Sequence, residues 1–313
     1  MLGRTANDLF WMARYMERAE NMARLLEVGH RLSLLPHEDG GQEWRSTLQS
    51  AGCEASYIAS HDTFETREVV DYLLFDKSNP SSVYCCLSTA RRNGRAQRTA
   101  ITREMWESLN GAWIEFSRSA TENVPSDALP ALFDRIRDRS ALFRGALLNT
   151  ILRNDTFYFT QLGTFLERAD NTARILDVKY YVLLPQNELV GGGLDSAQWA
   201  AMLRSVSAHR SFRWVYRDAF KPWHIADFLI LNPQMPRSLH SCYAEIMLAL
   251  SGLSQSYGLE TSCQALAGTM LSRLKMLDMP GIFQAGLHEF LRDFISDNSR
   301  LAHKIAAAYH FND

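Results

Sequence analysis

The sequence predicts an all-α protein, a duplicated helical bundle whose two halves are related by a pseudo-two-fold axis. Apolar residues return every three or four positions along most of the chain, and alternating strand patterns are missing. One polar motif also occurs twice, 150 residues apart, and a repeat of about that length has the size of a domain. We therefore expect residues 1–150 to form the first helical repeat and residues 151–313 the second, packed together as one globular unit.

The first helix is predicted from Ala6 to about His30. Its apolar side chains recur mostly at three- or four-residue intervals, which is typical of an amphipathic helix. Residues Phe157 to Tyr181 repeat this pattern, so we expect an equivalent helix at the start of the second half.

The next long helix is predicted to begin at Asn79-Pro80, because an asparagine can cap a helix whose first residue is proline. We expect this helix to continue through Arg91 towards Trp113. Met235-Pro236 is predicted to open its counterpart in the second half.

Two prolines between Glu122 and Pro130 predict a loop, which is followed by a long helix that ends near Leu152 and leads into the second half. The residues from Gly281 to His310 are predicted to form the matching terminal helix.

The repeated motif is rich in charged residues. The first copy reads Glu17-Arg18-Ala19-Glu20-Asn21 and continues to Arg24, and the second reads Glu167-Arg168-Ala169-Asp170-Asn171 and continues to Arg174. Further along, Pro80-Ser81-Ser82-Val83 is matched by Pro236-Arg237-Ser238-Leu239, at an offset of 156. The offset grows where the second half contains Leu189 to Gly193, which predicts a longer surface loop.

The spacing of the motif predicts that its two helices pack against each other. Alanines four residues apart allow a second backbone to come close, and the charged residues form a polar stripe. Buried charges need partners, so we expect a closed lattice in which Glu17 pairs with Arg174 and Glu167 with Arg24.

Two interpretations of this lattice remain open. In the first, the ion pairs only fix the register and orientation of the two halves. In the second, the cluster binds a zwitterionic amino acid or a peptide end, with a carboxylate holding the amine and arginine holding the carboxylate. The substrate-binding candidates are Glu17, Arg18, Glu20, Asn21, Arg24, Glu167, Arg168, Asp170, Asn171 and Arg174.

A second candidate site binds an anion at the helix starts near Pro80 and Pro236. The backbone N–H groups of a helix N-terminus attract anions, and Ser82, Arg237 and Ser238 could add donors. Ordinary helix capping explains the same residues equally well. Because serine stands where the second copy has Arg237, an anion site would be one-sided.

Composition narrows the function classes. A formal charge of −2 over 313 residues argues against a nucleic-acid partner, and no apolar run reaches the roughly 18 residues that span a membrane, so we expect a cytoplasmic protein. Phosphate-binding loops, nucleophile elbows and zinc-protease motifs are all missing. Glu27 and His30 have the spacing of a di-iron ligand pair, but the second copy has Asp177 and Tyr180 there. We predict no metal and no cofactor.

These residues also resemble those of the bacterial Alpha-E family. The resemblance covers essentially the whole chain and is carried by the two Glu-Arg motifs, by Asn232-Pro233 and by Pro236-Arg237-Ser238. The stretches Ala90 to Arg95 and Glu104 to Asn110 are similar too, but Arg92 stands where glutamate is expected and Gly94 where alanine is expected.

The resemblance implies a helical protein that is encoded beside, or fused to, circularly permuted ATP-grasp ligases, often together with transglutaminase-like proteins. Such neighbours imply a role in forming or modifying peptides by amide ligation. No catalytic mechanism comes with the resemblance, so two functions stay open. The chain either binds a substrate or stabilises the ligase, or it is itself an enzyme of aminoacyl or amide transfer that uses the Glu-Arg clusters.

Overall fold

Helices form all of the regular secondary structure in the part of the chain that the computed structural model describes, which is residues 1–35, 41–120, 124–181, 193–217 and 221–311. The all-α prediction is thus confirmed. The helices are α1 (Gly3–Ser33), α2 (Gln42–Ala51), α3 (Glu54–Ile58), α4 (Thr66–Leu74), α5 (Val83–Ala96), α6 (Arg103–Ser119), α7 (Leu129–Thr150), α8 (Asp155–Tyr181), α9 (Gly193–Ser205), α10 (His209–Tyr216), α11 (Pro222–Ile230), α12 (Leu239–Tyr257), α13 (Ser262–Met276), α14 (Met279–Ala285) and α15 (Leu287–Ala308), with a short 3-10 helix at Ser126–Ala128.

Helices α1 and α8 form the centre of the protein. Helix α1 packs against α8 and is covered by α5, α7 and α2, while α8 is covered by α12, α15 and α2. Polar and apolar residues alike are buried along α1 between Ala6 and Leu32. A helix that is buried on most of its circumference has to bury its charged residues as well, so each of them needs a partner.

Small residues bring the two central helices close together, as the alanine spacing predicts. Ala19, Ala23, Ala169 and Ala173 are all fully buried. One turn before the second motif, a Cβ atom on Gly163 would lie 2.2 Å from the carbonyl oxygen of Phe10, so only glycine fits this contact.

The helix predicted from Asn79 to Trp113 is two helices. The hydroxyl of Ser82, not the side chain of Asn79, caps α5 by accepting a hydrogen bond from the N–H of Cys85. Helix α5 ends at Ala96, and Thr102 caps α6 after an intervening turn. Gly94 permits this arrangement, because a Cβ atom there would lie 2.3 Å from the Cδ2 atom of Leu109 on α6.

The other predicted elements are found with adjusted ends. The loop predicted from Glu122 to Pro130 partly lies outside the described residues, and α7 already begins at Leu129 with Pro130 in its first turn. The terminal helix is interrupted at Gly286, whose φ of +96° separates α14 from α15. The predicted loop from Leu189 to Gly193 lies outside the described residues except for Gly193, which begins α9.

Several contacts of the first half recur at matching residues of the second. Gly52 follows α2 with a φ of +71° and donates its N–H to the carbonyl of Gln49. Ser207 follows α9 with a φ of +57° and donates its N–H to the carbonyl of Arg204. The pseudo-two-fold axis itself stays a prediction.

In the described part of the chain, no helix is both long and apolar enough to cross a membrane.

We expect Gly163→Ala to destabilise the protein by about 2 kcal/mol, because the added methyl group overlaps the Phe10 carbonyl and forces the central helices apart. Gly145→Ala on α7 is the matched control, since a Cβ atom there meets nothing within 4 Å. The control should stabilise the protein by about 0.5 to 1 kcal/mol, the usual helical preference of alanine over glycine. Urea unfolding of both variants measures the difference, and equal stability of the two would contradict the close contact.

Candidate functional site

The two Glu-Arg motifs bind each other where α1 and α8 meet. Arg18 donates to both carboxylate oxygens of Glu167, with its Nε atom 2.5 Å from Oε1 and its Nη2 atom 3.0 Å from Oε2. Arg168 does the same to Glu17, at 2.9 Å and 3.1 Å. Paired, parallel hydrogen bonds of this kind give both strength and a fixed orientation. The arginine of each motif is therefore held by the glutamate of the other.

The predicted pairs of Glu17 with Arg174 and of Glu167 with Arg24 are wrong. Arg24 lies one turn after Glu20 on the same helix and binds it, with its Nη2 atom 2.7 Å from Oε1. Arg174 binds Asp170 in the same way, at 2.6 Å. Residues four apart on a helix are neighbours, so each of these arginines binds a carboxylate of its own helix. The arginines that directly follow Glu17 and Glu167 reach across instead.

The first acidic pair, Glu17 and Glu20, is surrounded by four guanidinium groups. Arg144 from α7 and Arg237, which precedes α12, contact both carboxylates. Arg144 Nη1 lies 3.1 Å from Glu17 Oε2, and Arg237 Nη1 lies 3.2 Å from Glu17 Oε1. Arg24 and Arg168 complete the set, in which both carboxylates and every arginine except the partly exposed Arg144 are buried.

The second acidic pair, Glu167 and Asp170, has three guanidinium groups. Besides Arg18, Glu167 binds Arg14, whose Nε atom lies 2.8 Å from Oε2. Arg174 binds Asp170 and also donates to the carbonyl of Ser50, at 3.2 Å, at the end of α2.

The surrounding arginines keep the buried carboxylates ionised. Burial acts to raise the pKa of Glu17, but the charge of Arg168 and its neighbours outweighs burial, and the pKa lies below its ordinary value. Burial also acts to raise the pKa of Glu20. The charges of Arg237, Arg144 and Arg24 outweigh it and hold the pKa well below its ordinary value. Despite burial, Arg18 and Arg14 lower the pKa of Glu167 to about 2. All three are therefore ionised at neutral pH and are weaker proton acceptors than a free carboxylate.

Beside this lattice lies an open polar cleft of about 260 Å³. Both central helices and the ends of two neighbouring segments line it, through Arg18, Asn21, Met22, Leu25, Ala51, Gly52, Ser81, Glu167, Asp170, Asn171 and Arg174. Six of the ten predicted substrate-binding residues lie in this lining. Glu17, Glu20, Arg24 and Arg168 belong to the closed first cluster instead.

Two buried asparagines of the cleft lining have unused hydrogen-bonding atoms. Asn171 is 97% buried, and neither its Nδ2 nor its Oδ1 atom has a partner among the described residues. Asn21 donates to the carbonyl of Glu167 at 3.2 Å, but its Oδ1 atom likewise has no partner there. A buried side-chain amide without partners is costly, which points to a ligand or ordered water that completes these bonds.

The predicted anion-binding residues have partners within the protein. Ser82 and Ser238 cap α5 and α12, and their hydroxyls accept the N–H groups of Cys85 and Ser241. Arg237 is buried against Glu17 and Glu20 rather than extended towards a helix N-terminus. Their anion-binding role stays a prediction.

Sequence reasoning missed Arg14 and Arg144, which complete the two clusters. Arg14 lies one turn before the first motif, but the second half has Thr164 in the matching place, so the repeat gave no signal for it. Arg144 lies on α7, far from both motifs in sequence. For metal binding, no group of three or more His, Cys, Asp or Glu side chains occurs in the described parts of the chain.

Comparison with known proteins gives one match. The model of the family Alpha-E, described as a predicted alpha-helical domain with a conserved ER motif, matches residues 1–310. No curated protein and no solved structure matches the chain.

We expect Glu17→Gln to destabilise the protein by about 3 kcal/mol, because it removes the carboxylate that binds Arg168 and one of the two carboxylates that bind Arg144 and Arg237. Glu54→Gln is the control, since Glu54 pairs with the half-exposed Arg45 and its loss should cost at most about 1 kcal/mol. Urea unfolding of the two variants tests this. A Glu17→Gln variant as stable as the control would show that the lattice does not hold the helices together.

The low pKa of Glu167 predicts acid sensitivity. A carboxyl whose pKa falls from 4.5 unfolded to about 2 folded stabilises the protein fully above about pH 4.5 and loses this contribution as the pH falls towards 2. The contribution amounts to roughly 3 kcal/mol. We therefore expect the loss of stability between about pH 5 and about pH 3 to be smaller in Glu167→Gln than in the wild type. Urea unfolding at both pH values measures it, and parallel pH profiles would refute the assignment.

Proposed function

The chain belongs to the Alpha-E family, and on this premise we propose that it is a binding module that holds an amino-acid or peptide substrate for a partner ligase. The observation that carries the proposal is the cleft beside the Glu-Arg lattice. Its polar lining includes the buried amide of Asn171, which has two hydrogen-bonding atoms and no partner among the described residues.

The lining offers a counterpart for each polar group of an amino acid or a peptide end. Asp170 supplies a carboxylate for an ammonium group, and Arg18 and Arg174 supply guanidinium groups for a carboxylate. Asn21 and Asn171 supply amide donors and acceptors, which match those of a peptide bond. Met22 and Leu25 add an apolar floor. Few precisely placed polar groups in a concave site are typical of small-molecule recognition.

The state of the carboxylates favours a module over an enzyme. Aminoacyl or amide transfer by the Glu-Arg clusters would need a carboxyl that takes up or releases a proton near neutral pH. The arginines lower the pKa values of Glu17, Glu20 and Glu167 below the ordinary value, which makes these carboxylates weaker bases. In this proposal, the lattice is the rigid wall of the site, and the chemistry belongs to the partner.

The partner we propose is a circularly permuted ATP-grasp ligase, acting in peptide or amino-acid amide formation, often with a transglutaminase-like protein nearby. This part rests on the family resemblance. The cytoplasm is the proposed location, because the ligase would need ATP. Nucleic acid and membrane are not among the proposed partners.

The test is to titrate the protein with free amino acids and with short zwitterionic peptides by calorimetry, and to compare Asn171→Leu with the wild type. Asn171→Leu should weaken binding by at least about tenfold while thermal stability holds or rises, because leucine replaces a buried amide that has no partner. The same loss should appear as reduced product in a reconstituted reaction with the ligase.

Asn149→Leu is the control, since Asn149 is exposed on α7 and lies away from the cleft lining. It should bind as the wild type does. If neither amino acids nor peptides bind the wild type, or if Asn171→Leu binds them unchanged, the cleft is not the substrate site.

A further inference from the structure

One position near the Glu-Arg motifs carries a large side chain in the second half of the chain and a small one in the first. Ser81 and Arg237 occupy the same place in matching segments, since each directly precedes a serine that caps the next helix. The first of these helices, α5, packs on α1, and the second, α12, packs on α8. The equivalence therefore rests on matching residues and contacts.

Arg237 shows what the second-half position holds. Its guanidinium is 94% buried and lies between the carboxylates of Glu17 and Glu20. The hydroxyl of Thr172 on α8 donates to the Arg237 carbonyl at 2.7 Å, which fixes the backbone there.

In the first half, the equivalent position is part of the cleft. Ser81 lines it, and its short side chain leaves the space that a guanidinium takes in the other half. Asp170 stands where the other half has Glu20 and is one methylene shorter, which widens the space. Its Oδ2 atom binds Arg174, whereas its Oδ1 atom has no hydrogen bond in the described part of the chain.

We infer that the cleft takes a guanidinium-bearing ligand, such as the arginine side chain of a peptide, which occupies in the first half the position of Arg237 in the second. This deepens the proposed function, on which it rests, by naming the group that the cleft selects. The planar guanidinium reaches Asp170, and the remaining volume beside Asn21 and Asn171 accommodates the amide groups of the ligand's main chain.

The charges permit this ligand. The first acidic pair has two carboxylates and four guanidinium groups, and the second pair has two carboxylates and three. A ligand guanidinium would bring the second pair to two carboxylates and four guanidinium groups, the same numbers that the protein already accommodates around the first pair.

The first experiment compares two ligands that differ in charge and little in shape. Nα-acetylarginine methylamide and Nα-acetylcitrulline methylamide are titrated into the wild type by calorimetry. We expect the arginine compound to bind at least about tenfold more tightly, because only its guanidinium carries a charge for Asp170. The lysine analogue should bind between the two, since an ammonium is a point charge without the planar fork.

Ser81→Arg tests the position itself. The new side chain should occupy the cleft as Arg237 occupies its own site, so binding of the arginine compound should be lost while the protein stays folded. Ser78→Arg is the matched control, because Ser78 is exposed, lies on the same segment and is outside the cleft lining. It adds the same charge and should leave binding unchanged.

Arg237→Ser provides an independent readout in the other half. We expect this variant to melt at a lower temperature than the wild type, and ethylguanidine at low millimolar concentration to restore part of the loss. Ethylammonium and ethylurea at equal concentrations should restore less. Restoration by all three compounds alike would contradict a guanidinium-selective position.

The outcomes separate this inference from the proposed function. If peptides without arginine bind and the arginine and citrulline compounds bind equally, the guanidinium inference is wrong and the substrate cleft stands. If Ser81→Arg binds the arginine compound as the wild type does, the ligand does not occupy the position of Arg237. If no amino acid or peptide binds at all, both proposals fail.

Discussion

The reciprocal ion pairs between Glu17 and Arg168 and between Glu167 and Arg18 are the constraint on which the rest of the structure depends. Two carboxylates buried in the centre of a helical protein are tolerated only when each is paired and hydrogen-bonded. Because the two motifs pair with each other, the ion pairs favour the observed register of α1 against α8. That register places the small residues of both helices in contact, Gly163 against Phe10 among them, and it fixes the wall of the cleft beside the lattice.

The two sides of this crossing differ in how they use the same elements. Around Glu17 and Glu20, arginines from α7 and from the segment before α12 bind both carboxylates, which are fully buried. On the side of Glu167 and Asp170, Ser81 stands where the other half has Arg237, and a solvent-accessible cleft remains. One side thus serves stability, and the other keeps hydrogen-bonding atoms unused at an energetic cost. Natural proteins pair nearly all of their buried polar groups, so groups that stay unpaired are typical of functional sites.

The sequence was sufficient for the fold class and for the meeting of the two motifs, because helical periodicity and alanine spacing are local signals. It was not sufficient to predict which arginine pairs with which carboxylate. Whether Arg18 or Arg24 crosses to the other helix depends on the rotation of α1 about its axis, which the packing of the whole bundle decides. Arg144 could not be predicted for a related reason, since its contact with Glu20 spans 124 residues and only the tertiary structure brings them together. The sequence also does not show that the Asn171 amide lacks a partner, because the matching residue, Asn21, is an asparagine too and does have a partner.

A repeated sequence with unequal surroundings explains why the open cleft lies on one side. Each reciprocal pair joins a glutamate of one motif to the arginine of the other, so the loss of one of these four residues would leave a buried charge without this partner. Ser81 and Arg237 lie outside the two reciprocal pairs, at edge positions where a change of side chain opens or fills a space, and Arg237 contacts both Glu17 and Glu20. Function can therefore be added to this fold at the edge positions, while the motif that identifies the family supplies the rigid support.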